Sequence, residues 1–126
     1  MSHAEPCILV IDDDPSIRDL YAALFRDERY HVESAVDGRD GLAHLGCAPD
    51  LIVLDLAMPL MCGHEFLHQL RGIPGHRETP VLVVSAASGA NAFSGPESRM
   101  DKPFDTEELL ARVAFMLRSS TGTLPN

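Results

Sequence analysis

One short apolar segment that ends in a carboxylate constrains the fold of this chain most strongly. The segment Leu51–Asp55 (LIVLD) is preceded by Pro49-Asp50 and followed by Met58-Pro59. A continuous apolar run of this length between chain-breaking residues is typical of a strand buried on both faces, as in a parallel sheet. Asp55 is therefore predicted at the carboxyl end of a central strand, the edge where open α/β sheets bind ligands. The alternative is that Asp55 only caps the following loop.

Length and composition indicate one globular domain with an acidic surface. The 126 residues are 45% hydrophobic and carry a formal net charge of −9. There is no apolar run of membrane-spanning length and no basic-then-apolar start, which predicts a soluble, cytoplasmic protein with no membrane partner. The acidic charge argues against direct nucleic-acid binding, which favours a basic face. Cys7, Cys47 and Cys62 lack metal-ligand spacing and are interpreted as small buried or half-buried residues in a reducing cytosol.

Strand and helix patterns alternate along the chain. Short apolar or alternating runs predict five strands, at 7–11, 31–35, 51–55, 80–84 and 98–101. Between and after them, helices are predicted from Pro15 with Asp14 as N-cap, at Gly41–Leu45 after an Asp37-Gly38 turn, at His64–Arg71, and after a capping box at Asp105. The domain is predicted to span 1–118, and 119–126 to form a flexible tail or the start of a linker.

This alternation predicts an α/β fold, a single-domain doubly wound sheet of five parallel strands. The two most apolar strands belong in the centre and the polar second strand at an edge, which gives the order 2-1-3-4-5. The crevice between strands one and three then lies beside Asp12, Asp13 and Asp55. Ser85 follows the fourth strand and Lys102 the fifth, so all five side chains are expected at the same edge of the sheet.

These five side chains suit one kind of chemistry. At an effective dielectric of about 20, two carboxylates about 4 Å apart repel by roughly 4 kcal/mol, and Lys102 alone cannot neutralise three of them. An oxygen-only site that needs positive charge favours Mg²⁺ or Mn²⁺ over zinc. A carboxylate beside such an ion, a hydroxyl and an ammonium can accept a phosphoryl group.

Four segments together carry a family resemblance. They are ILVIDDDPSIRDL at 8–20, DLIVLDLAMPLMCGHEFL at 50–67, VLVVSA at 81–86 and DKPFDTEELLARV at 101–113. In this order and on these strand ends, the chain resembles the receiver domain of bacterial two-component response regulators from Ile8 to about Leu117. The resemblance implies a flavodoxin-like fold and phosphorylation by a histidine kinase or phosphotransfer protein. It also implies signalling to a further protein partner, with self-catalysed phosphorylation and dephosphorylation and no turnover of an external substrate.

The resemblance also implies a role for each residue at the carboxyl edge. Asp55 corresponds to the phosphoacceptor, and Ser85 and Lys102 to the hydroxyl and ammonium that contact the phosphoryl group. The magnesium ligands would be Asp12, Asp13 and Asp55, together with the backbone carbonyl of Ala57. The peptide bond Lys102–Pro103 is expected to be cis.

One stretch departs from the family. Only sixteen residues separate Ser85 from Lys102, and Gly89, Gly95 and Pro96 interrupt them. A shortened or irregular helix is therefore expected there, followed by a poor fifth strand. Arg99 stands three residues before the lysine, where the family usually has an aromatic residue. The hypothesis is an altered partner surface, and the alternative is a shortened loop without functional meaning.

Three other interpretations stay open at this point. Asp12-x-Asp14 after an apolar strand could belong to a haloacid-dehalogenase-like phosphohydrolase, although Asp55 would then have no role. A pseudo-receiver that never takes phosphate would account for the altered stretch but not for the intact acidic residues. His64 and His68 match the zinc-protease motif H-E-x-x-H, but no third ligand is placed near them.

Overall fold

The computed structural model of this chain describes residues 5–56, 63–85 and 97–120. Strands and helices alternate in these ranges, as the sequence predicts. The strands are β1 Cys7–Ile11, β2 His31–Ala35, β3 Leu51–Asp55, β4 Val81–Ser85 and β5 Glu97–Asp101. The helices are α1 Pro15–Asp27, α2 Gly38–Ala43, α3 Gly63–Arg71 and α4 Thr106–Ser120, with a short 3₁₀ turn at Leu45–Cys47.

The five strands form one parallel sheet in the order β2-β1-β3-β4-β5. The predicted fold class and strand order are therefore confirmed. In the register of the two central strands, Ile11 pairs with Leu54, so both strands end at the same level. Ser85 of β4 pairs with Asp101 of β5, which places the chain before Lys102 at that same edge.

Alternating side chains divide the core into two layers. Ile8 and Val10 of β1 face the layer that contains α1 and α4, whereas Leu9 and Ile11 face the layer that contains Phe66 of α3. β3 and β4 alternate in the same way, because successive side chains of a strand point to opposite faces. All residues of these three strands are buried, as expected for a sheet covered by helices on both sides.

The first helix begins as predicted, but the second does not. Asp14 caps α1 by accepting a hydrogen bond from the Ser16 N–H, and Pro15 is its first residue. The predicted Asp37-Gly38 turn is wrong. The Asp37 side chain accepts from the Asp40 N–H as the N-cap of α2, which begins at Gly38. Gly38 and Gly41 are buried in this helix, so packing outweighs the low helix propensity of glycine.

The polar strand β5 is held by contacts with the layer that contains α1 and α4. Met100 is buried in the core layer of α1 and α4. Nη1 of Arg112, on α4, donates to Ser98 Oγ at 2.8 Å and to the Arg99 carbonyl at 3.2 Å. These contacts explain how a sequence with weak strand character completes the sheet. The shortened helix expected after Ser85 lies outside the described residues.

The end of the domain differs slightly from expectation. Helix α4 continues through Ser120, two residues into the segment 119–126 interpreted as a tail, and residues 121–126 lie outside the described part. The Lys102–Pro103 peptide bond is cis, as predicted. No helix in the described ranges combines the length and the apolar character needed to cross a membrane.

Candidate functional site

Three carboxylates meet at the carboxyl edge of the sheet. Asp12 follows β1, Asp13 comes next, and Asp55 ends the neighbouring strand β3. One oxygen of each carboxylate lies within 4.8 Å of the others. Asp12 and Asp55 are buried, whereas Asp13 is exposed. The predicted acidic cluster therefore forms, with one side open to solvent.

Hydrogen bonds fix the most buried carboxylate. Asp12 is 1% exposed, and its Oδ1 accepts from the Asp14 N–H at 3.0 Å. Its backbone N–H donates to the Ala35 carbonyl, and its own carbonyl accepts from Arg18 Nη1 at 2.7 Å. The second carboxylate oxygen, Oδ2, faces Lys102. Asp12 is therefore held in place before any ligand arrives.

Lys102 brings the positive charge that the sequence predicts at this edge. Its Nζ lies 3.4 Å from Asp12 Oδ2 and 3.8 Å from Asp55 Oδ1, with 23% of the side chain exposed. The Lys102 backbone N–H donates to the Ser85 carbonyl at 2.9 Å. Ser85 ends β4 and is 1% exposed. The structure thus brings Asp12, Asp13, Asp55 and Lys102 together and ties Ser85 to Lys102 through the backbone.

The backbone at the start of α3 lies close to the backbone at the end of β3. The Gly63 N–H donates to the Leu56 carbonyl at 3.0 Å. A Cβ atom at position 63 would lie 2.9 Å from Leu56 Cα and 3.2 Å from the Asp55 carbonyl oxygen. Only glycine fits there without moving the chain that follows Asp55. Ala57, the expected source of a carbonyl ligand, lies outside the described residues.

The charges of this cluster are unbalanced. The Lys102 ammonium lies within 4 Å of two of the three carboxylates, those of Asp12 and Asp55, and all three potential metal ligands are oxygen atoms. Such a donor set fits Mg²⁺ or Mn²⁺, which prefer carboxylate oxygens, better than zinc. Burial, and after it the charges of Asp12 and Asp55, raise the pKa of the Tyr21 hydroxyl well above its ordinary value. The negative field therefore extends into the core beneath the site.

Two features of the site were not predicted from the sequence. The sequence assigned no role to Arg18, yet its side chain reaches back to the Asp12 carbonyl. The Tyr21 ring stacks on Phe104 at 5.8 Å and on Phe25 at 5.7 Å, which connects α1 to the chain after the cis peptide bond. Arg18 lies one turn into the helix that follows Asp12. This spacing is the sequence signal from which the contact could have been predicted.

The histidines of the H-E-x-x-H motif do not form a metal centre with a third residue in the described ranges. His64 and His68 lie on the exposed face of α3. The group of three potential ligands found in those ranges is Asp12, Asp13 and Asp55. The zinc-protease interpretation therefore gains no support.

Known proteins share this architecture and sequence pattern. The family model of the response regulator receiver domain matches residues 8–114. This chain belongs to that family. Receiver domains bind Mg²⁺ at an acidic pocket, and this receiver domain has a cluster of three carboxylates at the carboxyl edge of its sheet.

Curated relatives include regulators and a kinase. The DNA-binding dual master transcriptional regulator RpaA of Synechocystis is 41% identical over 119 residues, covering 90% of this chain and 49% of the relative. The response regulator MprA of Mycolicibacterium vanbaalenii is 38% identical over 90% of this chain and 51% of its own length. The hybrid signal transduction histidine kinase D of Dictyostelium discoideum is 35% identical over 91% of this chain and 8% of its length.

Solved structures agree in fold. The chemotaxis protein CheY4 of Vibrio cholerae has a TM-score of 0.82 and 32% identity, covering 90% of this chain and 99% of its own. The signal receiver domain of a histidine kinase from Syntrophus aciditrophicus has a TM-score of 0.83 and 25% identity, covering 94% of both chains.

The lengths of the relatives bear on the expected partners. The receiver domain spans about half the length of RpaA and MprA. RpaA is described as DNA-binding, so the expectation of no nucleic-acid partner, which rested on the acidic charge, is not supported.

Proposed function

We propose that this receiver domain accepts a phosphoryl group on Asp55 from a phosphohistidine of a histidine kinase or phosphotransfer protein. The observation that carries the proposal is the position of Lys102 Nζ, 3.8 Å from Asp55 Oδ1 and 3.4 Å from Asp12 Oδ2. An ammonium at this distance can contact both the acceptor carboxylate and an oxygen of a group attached to it. Signalling then proceeds through protein contacts with a partner that reads the phosphorylated state.

The transfer itself requires a nucleophile and donors for the phosphoryl oxygens. An oxygen of the Asp55 carboxylate attacks phosphorus, the N–P bond of the phosphohistidine breaks, and its electron pair leaves with the imidazole. Lys102 neutralises negative charge on the phosphoryl oxygens, and the Ser85 hydroxyl donates a hydrogen bond to one of them. The buried position of Asp55 and Ser85 limits competing water.

A divalent cation fits the same cluster. Asp12, Asp13 and Asp55, with the carbonyl of Ala57, would hold Mg²⁺ or Mn²⁺. Such an ion would supply positive charge to balance these carboxylates and the phosphoryl oxygens. The hydrogen bonds from Asp14 and Arg18 hold Asp12 ready for this role without a further rearrangement.

Intact-mass measurement tests the proposal directly. Purified protein is incubated with Mg²⁺ and a small acyl-phosphate donor, and the expected result is the mass of one added phosphoryl group. The gain should be absent with a chelator and in Asp55→Asn. It should persist in Asp19→Asn, which removes an exposed carboxylate of α1. Folded wild-type protein that binds Mg²⁺ but gains no phosphoryl group would overturn the proposal and favour a pseudo-receiver.

A further inference from the structure

Two cysteines lie side by side at the edge of the sheet opposite the acidic cluster. Cys7 begins β1 and Cys47 ends the 3₁₀ turn that precedes β3. They are 40 positions apart in the chain, yet their Sγ atoms are 3.5 Å apart. Asp12 follows the other end of β1, and Asp55 is the last residue of β3. The sulfur pair is therefore separated from the acidic cluster by the length of the strands.

One cysteine of this pair is rigidly held and the other lies on a short turn. The Cys7 N–H donates to Asp50 Oδ2 at 2.8 Å, and the Cys7 carbonyl accepts from the Asp50 N–H at 2.7 Å. Cys47 is followed by Ala48 in the left-handed conformation, with φ 53°. A disulfide bond of about 2.05 Å would need the sulfurs to approach by about 1.5 Å. A movement of the turn can supply this distance without changing the sheet.

The surroundings of the pair favour a disulfide over a metal centre. Within the residues that the structure describes, no third metal ligand joins the two sulfurs, because the group of three potential ligands is the acidic cluster. Both thiols are free in this structure. Two adjacent thiols without a metal can be oxidised to a disulfide.

We propose that Cys7 and Cys47 form a reversible intramolecular disulfide, and that this pair is a redox modification site separate from Asp55. The oxidant is a peroxide. The Cys47 thiolate attacks one oxygen of hydrogen peroxide, the O–O bond breaks, and hydroxide leaves as water after protonation. The Cys7 sulfur then attacks the Cys47 sulfenic acid, the S–O bond breaks, and a second water carries away the Cys7 proton. Two thiols and one peroxide thus become one disulfide and two waters.

The environment of each sulfur sets the order of these steps. Cys7 is 7% exposed, whereas Cys47 is only half-buried and open to solvent. Burial raises the pKa of the Cys7 thiol to about 12, and the neighbouring Cys47, Glu33 and Asp50 act in the same direction. The more exposed Cys47 therefore reacts first with peroxide, and Cys7 then attacks the sulfenic acid while its proton passes to the leaving hydroxyl group.

The test counts free thiols in the Cys62→Ser variant, which keeps only Cys7 and Cys47. Reduced Cys62→Ser protein should have two alkylatable thiols. After near-stoichiometric hydrogen peroxide it should have none, with the loss of two hydrogens by intact mass and full recovery after dithiothreitol. Peptide mapping should find residues 7 and 47 linked within one chain. The cross-link should raise the thermal unfolding midpoint by roughly 5 °C or more, because it closes a long loop of the unfolded chain.

Single substitutions in the same background test the order of reaction. In Cys7→Ser, Cys47 should stop at the sulfenic acid, which dimedone captures. In Cys47→Ser, Cys7 should stay reduced under the same treatment. The proposal is overturned if both thiols stay alkylatable at a peroxide dose that oxidises the urea-unfolded protein. It is also overturned if the cross-link joins two chains.

Discussion

The Lys102 ammonium lies 3.4 Å from Asp12 Oδ2, although the two residues are 90 positions apart in the chain. One comes after the first strand and the other after the last. The contact therefore exists only when the whole sheet has formed. It also means that the lysine and a bound cation compete for the same carboxylate charge.

This competition predicts opposite effects of Lys102→Met on metal binding and on phosphorylation. Without the ammonium, Mg²⁺ affinity should rise by about three- to tenfold, because one positive charge no longer opposes the cation. The rate of Asp55 phosphorylation should fall, since Lys102 no longer contacts the phosphoryl oxygens. Isothermal titration calorimetry measures the Mg²⁺ affinity, and timed intact-mass measurements give the phosphorylation rate. Weaker Mg²⁺ binding in the variant would contradict the assigned competition.

Removing the exposed carboxylate of Asp13 should stabilise the metal-free protein but weaken its binding of metal. Asp13→Asn should raise the free energy of unfolding of the metal-free protein by up to about 1 kcal/mol, because it relieves repulsion within the cluster. The same variant should lose most of the increase in thermal midpoint that Mg²⁺ gives the wild type. Asp19→Asn, outside the cluster, should behave as wild type in both measurements. If Mg²⁺ raised the thermal midpoint of Asp13→Asn as much as that of the wild type, Asp13 would be excluded as a ligand.

The hydroxyl of the buried Tyr21 is expected to contribute little to the free energy of unfolding. The Tyr21 hydroxyl has no hydrogen-bond partner within the described part of the chain, while its ring stacks on two phenylalanines. Tyr21→Phe should leave the free energy of unfolding unchanged or raise it by up to about 1 kcal/mol. Tyr21→Ala should lower it by about 3–5 kcal/mol, because the ring packing is lost. A clear decrease in the free energy of unfolding of Tyr21→Phe, measured by urea unfolding, would indicate that the hydroxyl makes a hydrogen bond.

Gly63, which lies against the backbone of Asp55 and Leu56, is expected to be sensitive to substitution. Gly63→Ala should destabilise the protein and slow phosphorylation, because the new Cβ would lie 2.9 Å from Leu56 Cα and the backbone next to Asp55 must move. Gly46→Ala is the matched control, since a Cβ there meets no atom within 4 Å. Urea unfolding and phosphorylation rates should change in the first variant alone. Equal behaviour of the two variants would refute the steric argument.

Alkaline pH should destabilise the reduced protein. The pKa of Cys7 is about 12 in the folded state and 9.0 ordinarily, so the folded state holds this proton more tightly than the unfolded state. Its contribution to stability is therefore fully present below pH 9 and is lost as the pH rises from about 9 towards 12. The raised pKa of Tyr21 acts in the same direction. Urea midpoints between pH 8 and 10.5 should fall less steeply in Cys7→Ala than in the wild type.

The sequence predicted the sheet and the acidic cluster because both depend on local patterns. Apolar runs mark β1, β3 and β4, and each run ends next to a polar residue whose position at the carboxyl edge follows from parallel pairing. The cis bond before Pro103 followed from the family resemblance. The roles of the site residues themselves await the phosphorylation experiment.

Features that depend on packing between distant segments were not predictable in this way. The start of α2 was missed because the Asp37-Gly38 pair was interpreted as a turn, whereas Asp37 caps the helix and Gly38 and Gly41 are buried in it. The Cys7–Cys47 contact joins positions with no recognisable spacing. The stacking of Tyr21 on Phe104 likewise joins the first helix to the last loop, which no local pattern reports.

The two outer strands of the sheet have a consequence for association between copies. On β2, His31 Nε2 lies 2.7 Å from Glu33 Oε2, and on β5, Arg99 Nε lies 3.1 Å from Asp101 Oδ1. Charged side chains on both outer strands disfavour the addition of a further strand from another molecule. Among the described residues, these side chains therefore lower the tendency of the two outer strands to pair with a strand of another molecule.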